Sequence, residues 1–407
     1  MKKSLAKGRP RVSAIRIAVF RPPIAPLLVL ALIACEPVFA HDPSAYGGLF
    51  RSRNWGENWL NADVGLFLGA AVALAIDPAD ADHLLLGTDS GLLASRNGGR
   101  QWVRESPEQL FGPVFAVAFL PDGKHRLCAT SAGVYRHDGM RWVAVDAPRD
   151  AAPARAIVNG TDPARLYLIG RRALFASSDG GTTWVRIEHD LPADAEFTEL
   201  RVTRAGGEVL HALVDGQLVS SSDAGRHWVR RTVGSDGAAV SGLSLDASAD
   251  TRLWAGAGAR IYRSDDGGAT WAATGGPLPQ ADIGVRGVTA DPAARTLIAG
   301  TRLGLFRSSD AGASWALLEN NLPVHLEVRP LVNDPAAPGT VYAGFALIPY
   351  AELWRTALEG GNLLSRVDPV SLAGGLAFLL LLILLGVFGA RWLMRRTAGN
   401  PPRPAKP

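Results

Sequence analysis

Cysteine is scarce in this 407-residue sequence, which contains only Cys35 and Cys128. Two cysteines form at most one disulfide, so a small disulfide-stapled scaffold is excluded. Metal-site signatures are absent as well: no His-Glu-x-x-His or paired Cys-x-x-Cys occurs, and the eight histidines are scattered singly. With 47% apolar and 20% charged residues, the chain has the composition of a large folded protein held together by packing. We therefore expect neither a metal nor another cofactor.

Basic charge is also scarce in the middle of the chain. Of 42 Lys/Arg, seven lie in residues 1–40 and five in residues 391–407, and these two ends contain one of the 38 acidic residues. Residues 41–390 therefore carry 30 bases against 37 acids, a net charge of −7. A surface that binds phosphates needs a basic excess, so nucleic acid is not an expected partner.

The first forty residues have the layout of a secretory signal peptide. Seven basic residues accompany an apolar run over residues 24–34, and Val38-Phe39-Ala40 is typical of a cleavage site, so we expect cleavage after Ala40. The segment Leu32-Ile33-Ala34-Cys35 resembles a bacterial lipobox, in which Cys35 is lipidated and becomes the first residue. The two interpretations exclude each other, and both stay open.

A second apolar segment lies near the C-terminus. The twenty-one residues 370–390 contain no charged side chain, and this length matches that of a transmembrane helix. Three arginines follow the segment: Arg391, Arg395 and Arg396. Positive residues beside a membrane span favour the cytoplasmic side. The sequence thus predicts a single-pass protein of a bacterial inner membrane, with residues 41–369 in the periplasm or outside the cell and a cytoplasmic tail at 391–407.

The middle of the chain is one unit repeated seven times. An octapeptide of the form Ser-x-Asp-x-Gly-x-Thr-Trp, or a close variant, ends at seven tryptophans spaced 40 to 44 residues apart. These tryptophans are Trp59, Trp102, Trp142, Trp184, Trp228, Trp271 and Trp315. The four later copies keep the acid, and their acid and tryptophan are Asp179 and Trp184, Asp223 and Trp228, Asp266 and Trp271, and Asp310 and Trp315.

The octapeptide has the composition of a tight turn between two strands. The Asp or Asn side chain accepts hydrogen bonds from the turn's amides, the glycine supplies a positive φ, and the tryptophan fills space between neighbouring sheets. Three further strand signals precede each box, and four strands in about 43 residues are typical of a propeller blade. We therefore assign a structural role to the box residues.

The octapeptide resembles the Asp-box, or BNR, repeat of β-propellers, which sialidases, sortilin-like ectodomains and photosystem II assembly factors carry. The resemblance covers about residues 46–357 and implies an all-β, seven-bladed β-propeller, here with one C-terminal transmembrane helix. Residues 326–332 and 340–345 supply two strands that close the ring with the first box. An eighth, boxless blade through residues 353–356 is the alternative.

The domain organisation follows from these segments. We expect a signal peptide at 1–40, a propeller at 41–357, a linker at 358–369, a transmembrane helix at 370–390 and a tail at 391–407.

Enzymatic signatures are missing from the motifs. The resemblance to sialidases implies an Arg-Ile-Pro motif, three arginines for a carboxylate and a Tyr–Glu nucleophile pair, but Arg-Ile-Pro is absent. Other glycosidases need only two carboxylates at a suitable separation, which a sequence does not reveal. We expect a protein that is not an enzyme and has no catalytic residues. The alternative is an exported, sialidase-like glycoside hydrolase or a glycan-binding propeller.

Arginines recur on the predicted first strands of the blades, which line the central channel of a propeller. Arg286 and Arg329 each lie five residues before an Asp-Pro turn, and Arg155 lies on the corresponding strand of the repeat that ends at Trp184. The resemblance to photosystem II assembly factors implies an arginine-rich face that holds a partner polypeptide. We therefore predict a membrane-anchored periplasmic scaffold or assembly factor that binds a polypeptide through Arg155, Arg286 and Arg329.

Acidic residues accompany two of the channel arginines. Glu199 and Glu327 lie two residues before Arg201 and Arg329, which places each pair on one face of a strand. Arg–carboxylate rings that fill the channel are therefore an equally good interpretation of these residues.

Overall fold

The computed structural model describes residues 47–204, 206–234, 237–281, 283–359 and 380–391. The predicted signal peptide and residues 370–379 of the predicted membrane span lie outside these ranges. A helix covers residues 380–391. In the described part of the chain, no helix is both long enough and apolar enough to cross a bilayer, so the predicted transmembrane helix is not supported there.

The described propeller contains 28 strands in seven four-stranded antiparallel sheets. The first fourteen are β1 (Gly48–Ser52), β2 (Leu60–Asn61), β3 (Ala71–Asp77), β4 (Asp80–Thr88), β5 (Gly91–Ser95), β6 (Val103–Arg104), β7 (Val114–Phe119), β8 (Arg126–Thr130), β9 (Val134–His137), β10 (Trp142–Ala144), β11 (Ala156–Asn159), β12 (Leu166–Ile169), β13 (Leu174–Ser177) and β14 (Val185–Arg186). The second fourteen are β15 (Phe197–Thr203), β16 (Val209–Val214), β17 (Gln217–Ser221), β18 (Val229–Arg231), β19 (Val240–Leu245), β20 (Leu253–Ala257), β21 (Arg260–Ser264), β22 (Ala272–Ala273), β23 (Val285–Ala290), β24 (Leu297–Thr301), β25 (Gly304–Ser308), β26 (Ala316–Leu317), β27 (Glu327–Asn333) and β28 (Val341–Ala346).

Both ends of the propeller chain share one sheet. Six sheets consist of four consecutive strands, but the seventh has the order β2-β1-β28-β27. In it, Gly48 pairs with Phe345 and Ser52 with Val341. The predicted closure and the count of seven blades are confirmed. The alternative eighth blade is wrong, because residues 353–356 are helical.

Each Asp-box forms a turn held by its own side chains. In the fourth copy, the Ser177 hydroxyl donates to Asp179 Oδ1 at 2.8 Å, and Asp179 Oδ1 accepts from the Thr183 amide at 2.9 Å. Gly181 has a φ of +82°, and a Cβ there would lie 2.4 Å from Leu127 in the neighbouring sheet. The box therefore needs glycine for both backbone conformation and packing.

The core lies between neighbouring sheets. Trp184, which is 4% exposed, belongs to a cluster that includes Leu120 and Leu127 of the preceding blade and Leu166 of its own blade. Burying an aromatic ring between two sheets contributes several times the stabilisation of a surface contact. This arrangement accounts for the recurrence of tryptophan at the end of each box.

A helix lies directly after the last strand. Helix α1 (Tyr350–Leu358) buries Tyr350, Leu353, Trp354 and Thr356. Its apolar side chains form a cluster with Val72 and Phe115 from the inner strands β3 and β7. The helix therefore covers one end of the ring's centre.

Candidate binding site in the central channel

The centre of the ring is a cavity of about 210 Å³. Residues of all seven inner strands line it, and Tyr350 of α1 adjoins them. The inner strands are β3, β7, β11, β15, β19, β23 and β27.

A β-bulge recurs near the start of the inner strands. In β3 the pairing register shifts between Ala71 and Ala73, so the residue between them has no partner on the next strand. The same shift occurs in β7, β15, β19 and β23. The residues at the equivalent position there are Phe115, Thr198, Ser241 and Arg286. In β27 the shift spans Val328 to Leu331 and includes Arg329. A bulge re-aims a side chain out of the regular alternation. The repeat thus supplies one equivalent backbone position per strand, and its side chain differs from strand to strand.

The structure brings the three predicted arginines together. Arg286, Arg329 and Arg155, which directly precedes β11, all line the cavity, and Arg201 of β15 joins them. Whether they hold a partner stays a prediction.

Each of the three predicted arginines has a carboxylate partner. Arg286 Nε donates to Glu327 Oε1 at 2.7 Å, Arg329 Nη2 donates to Glu199 Oε1 at 3.0 Å, and Arg155 Nη2 donates to Glu196. The expected contact between Glu199 and Arg201 forms at 3.5 Å. Glu327 instead bonds Arg286 of the adjacent blade. These ion pairs agree with the interpretation of the arginines as part of a channel-filling network.

The two buried glutamates have both carboxylate oxygens occupied. Glu199 Oε2 accepts from the Leu243 amide at 2.9 Å, and Glu327 Oε2 accepts from the Tyr350 amide at 2.9 Å. Glu199 is 3% exposed and Glu327 is 7% exposed. Each of these buried carboxylates therefore has its hydrogen-bonding capacity met by one guanidinium group and one backbone amide.

Burial and charge act in opposite directions on the channel arginines. Burial lowers the pKa of Arg155 and of Arg201, because it penalises the charged form. For Arg329, burial is the largest single influence and lowers the pKa, but Glu199, Tyr350 and Glu327 together outweigh it and the pKa is raised. All three remain cations at neutral pH, because the pKa of an arginine side chain lies far above neutrality.

Two of the channel arginines stack their guanidinium groups on aromatic rings of helix α1. The Arg155 guanidinium lies 4.3 Å from the centroid of the Trp354 ring, and the Arg329 guanidinium lies 4.5 Å from that of Tyr350. Phe115 meets both rings edge-on, at centroid distances of 5.1 Å and 5.7 Å. Sequence reasoning missed this contact, although the spacing of Tyr350, Leu353, Trp354 and Ala357 is the i, i+3, i+4, i+7 pattern of a helix.

Within the described ranges, no group of three or more His, Cys, Asp or Glu residues could hold a metal ion.

Comparison with known proteins gives partial sequence matches. The family model of the photosynthesis system II assembly factor YCF48 matches residues 134–277. The photosystem II assembly lipoprotein Ycf48 of Synechococcus sp. (strain CC9902) is 31% identical over 138 residues. This match covers 33% of the present chain and 40% of that relative, so the chain spans well under half the relative's length.

Solved structures show the same architecture. YCF48 from Cyanidioschyzon merolae has a TM-score of 0.53 at 14% identity, with 70% of this chain and 98% of that chain covered. YCF48 bound to D1 peptide has a TM-score of 0.52 at 17% identity, with 69% and 93% covered. The GH74 enzyme of Niastella koreensis has a TM-score of 0.53 at 17% identity, with 70% and 53% covered. The chain is an Asp-box repeat β-propeller that resembles the photosystem II assembly factors, as the repeat predicts.

Proposed function

We propose that the propeller is a scaffold that holds a polypeptide partner against the central channel through Arg155, Arg286 and Arg329. The observation that carries the proposal is the convergence of these arginines, from three different blades, on one cavity. A YCF48 relative of the same fold binds a D1 peptide. We extend peptide binding, but not the identity of that peptide, to this chain.

The charge of the channel favours a carboxylate-bearing ligand. Four guanidinium groups, including Arg201, meet the carboxylates of Glu196, Glu199 and Glu327, which leaves one cation in excess. This excess lies inside a domain whose net charge is −7. A local positive site attracts an acidic segment or a chain terminus, and guanidinium groups suit carboxylates.

We favour binding over hydrolysis. A glycosidase needs one carboxyl group that delivers a proton and a second that stays ionised. In the channel, both oxygens of Glu199 and of Glu327 accept hydrogen bonds from groups of the protein. Neither carboxyl group presents a free oxygen to a substrate. The likeness to a GH74 enzyme concerns the fold alone.

Membrane attachment is the second part of the proposal. The apolar residues 370–390 and the arginines after them support a tether, and the leader supports export of the propeller. Alkaline phosphatase fused after Asn362 is expected to be active, and fused after Pro407 inactive. The reverse pattern would overturn the proposed topology. Intact-mass analysis identifies the mature N-terminus as His41 or a lipid-modified Cys35.

The experiment for partner binding is a pull-down from solubilised membranes. The wild type is compared with a variant that carries Arg155→Ala, Arg286→Ala and Arg329→Ala. A matched control replaces three arginines outside the channel, Arg100, Arg186 and Arg263, with alanine. A specific protein should co-purify with the wild type and the control but not with the channel variant.

The channel variant leaves the buried Glu327 without its arginine and leaves Glu199 with Arg201 alone, which destabilises the fold. Thermal unfolding therefore accompanies each pull-down, and a second variant, Arg286→Gln with Glu327→Gln, removes charge without leaving a buried carboxylate unpaired. Identical partner lists for all folded variants would contradict the proposal. Release of sugar from a glycan panel by the wild type would favour the glycosidase alternative.

A further inference from the structure

We propose that one end of the channel is a binding site for a helical peptide with two aromatic side chains one turn apart, and that α1 fills this site as a tethered ligand. The site consists of Val72, Phe115, Arg155 and Arg329, and we call it the channel mouth. The inference rests on the proposed function and adds an aromatic part to the ligand, beside the carboxylate that the channel favours, together with a means of regulation.

The channel mouth matches an aromatic pair in geometry. Tyr350 and Trp354 are four residues apart on α1, so their rings project from one face of the helix and lie stacked with centroids 6.4 Å apart. A guanidinium covers each ring, at 4.5 Å for Tyr350 and 4.3 Å for Trp354. Phe115 packs edge-on against both rings. Two cation–π contacts and a shared aromatic wall therefore recognise residues i and i+4 of a helix.

The charge state of the mouth favours aromatic rather than acidic side chains. Arg155 already bonds Glu196, and Arg329 already bonds Glu199. Each carboxylate accepts from one Nη2 group at the edge of its guanidinium and leaves the flat face for stacking. The excess of one cation in the channel arises because Arg201 and Arg329 share Glu199.

Helix α1 depends on the mouth for its order. It has nine residues, and Pro349 at its N-cap provides no side-chain hydrogen bond. Isolated helices shorter than about 12–15 residues are marginal in water. The packing of Tyr350, Leu353 and Trp354 therefore holds α1 in place, so a competing helix that offers the same contacts can displace it.

The contact between α1 and the mouth is incomplete. The indole N–H of Trp354 and the Nε–H of Arg155 are buried and have no hydrogen-bond partner among the described residues. A partner helix with a carbonyl or carboxylate near either donor gains an interaction that α1 lacks. This difference allows exchange in favour of the partner even though α1 is covalently attached.

The test adds the helix in trans. The probe is a fluorescein-labelled peptide with the sequence of residues 349–359, titrated by fluorescence anisotropy against the full chain in detergent. The wild type should bind weakly, because its own helix competes at an effective concentration on the order of millimolar. A Tyr350→Ala/Trp354→Ala variant, whose mouth is vacant, should bind the probe at least tenfold more tightly.

Two control peptides define the ligand chemistry. One is the same peptide with alanine in place of both aromatic residues, and the other is an acidic peptide of equal length without aromatic residues. Neither should bind the double variant more tightly than the wild type. Equal binding of all three peptides, or tighter binding of the acidic one, would overturn the aromatic assignment.

A second variant tests the same inference in case the double variant does not fold. Arg355→Pro breaks α1 from its exposed side without altering the aromatic residues or the mouth. Because α1 follows the last strand, its release leaves the seven sheets intact, and a melting curve checks this. This variant should also gain affinity for the probe. Failure of both folded variants to gain affinity refutes the inference, whereas the proposed function fails only if the pull-down shows no dependence on the channel arginines.

Discussion

Both ends of the propeller chain share one sheet, so two phenylalanines that are far apart in sequence should be coupled in their effects on stability. Phe50 of β1 and Phe345 of β28 are 1% and 0% exposed, and their rings meet edge-on at 5.3 Å with an interplanar angle of 80°. Replacing either with leucine keeps most of the apolar volume and should cost about 1–1.5 kcal/mol of unfolding free energy. The edge-on contact is expected to be worth about 0.5–1.5 kcal/mol beyond the buried area.

The assay is a double-mutant cycle in urea, followed by tryptophan fluorescence. Phe50→Leu/Phe345→Leu should be less destabilised than the sum of the single variants by about 0.5–1.5 kcal/mol, because the ring contact is lost only once. Phe175, fully buried in another core cluster, provides the control, and Phe50→Leu/Phe175→Leu should be additive within about 0.5 kcal/mol. Additivity in the Phe50–Phe345 cycle would contradict the contact between these two rings of the shared sheet.

Three further outcomes are expected. Trp184→Ala should lower the unfolding free energy by about 3–5 kcal/mol, while partner capture persists in the folded fraction; a stable variant that has lost capture would make the box a binding site. Hydrogen bonds from the side chain and amide of Thr270 lower the pKa of Asp266 to about 2, so its contribution to stability is complete above about pH 4 and is lost as the pH falls towards 2. In Asp266→Asn, the free energy of unfolding should fall less steeply between about pH 4 and pH 2 than in the wild type. The difference should be less than about 1 kcal/mol because the group is exposed, and an unchanged pH dependence would contradict this. Burial raises the pKa of the Cys128 thiol, so it should react with a thiol reagent only on unfolding, and fast labelling of the native protein would contradict its burial.

The fold was predictable because its signals are local. In the fourth box, the hydrogen bonds of the Ser177 and Asp179 side chains all join residues between Ser177 and Thr183, so the octapeptide carries the turn within itself. The closure of the ring could also be predicted from the sequence, because the two strands after the last box had only the first box left to pair with. The same logic explains why β27 and β28 begin within one residue of the predicted strands.

The ion pairs in the channel could not be predicted from the sequence in the same way. Arg329 bonds Glu199, 130 residues earlier in the chain, and Glu327 bonds Arg286 of the adjacent blade. Strand periodicity predicts which face a side chain occupies, but not which of several cations across a channel a carboxylate reaches. That choice depends on bulges in the inner strands, such as the one between Val328 and Leu331.

The departures from the repeat, rather than the repeat itself, make the channel a candidate site. Seven equivalent blades produce a ring in which every direction is alike, and such a ring cannot orient a ligand. At one equivalent bulge position the chain places Phe115 in β7 but Arg286 in β23, and α1 packs beside the former. A ligand that enters therefore meets an aromatic wall on one side and cations on the other. Substitutions at these bulge positions should therefore change partner capture in the pull-down, while the Asp-box turns persist because none of their hydrogen bonds involves these side chains.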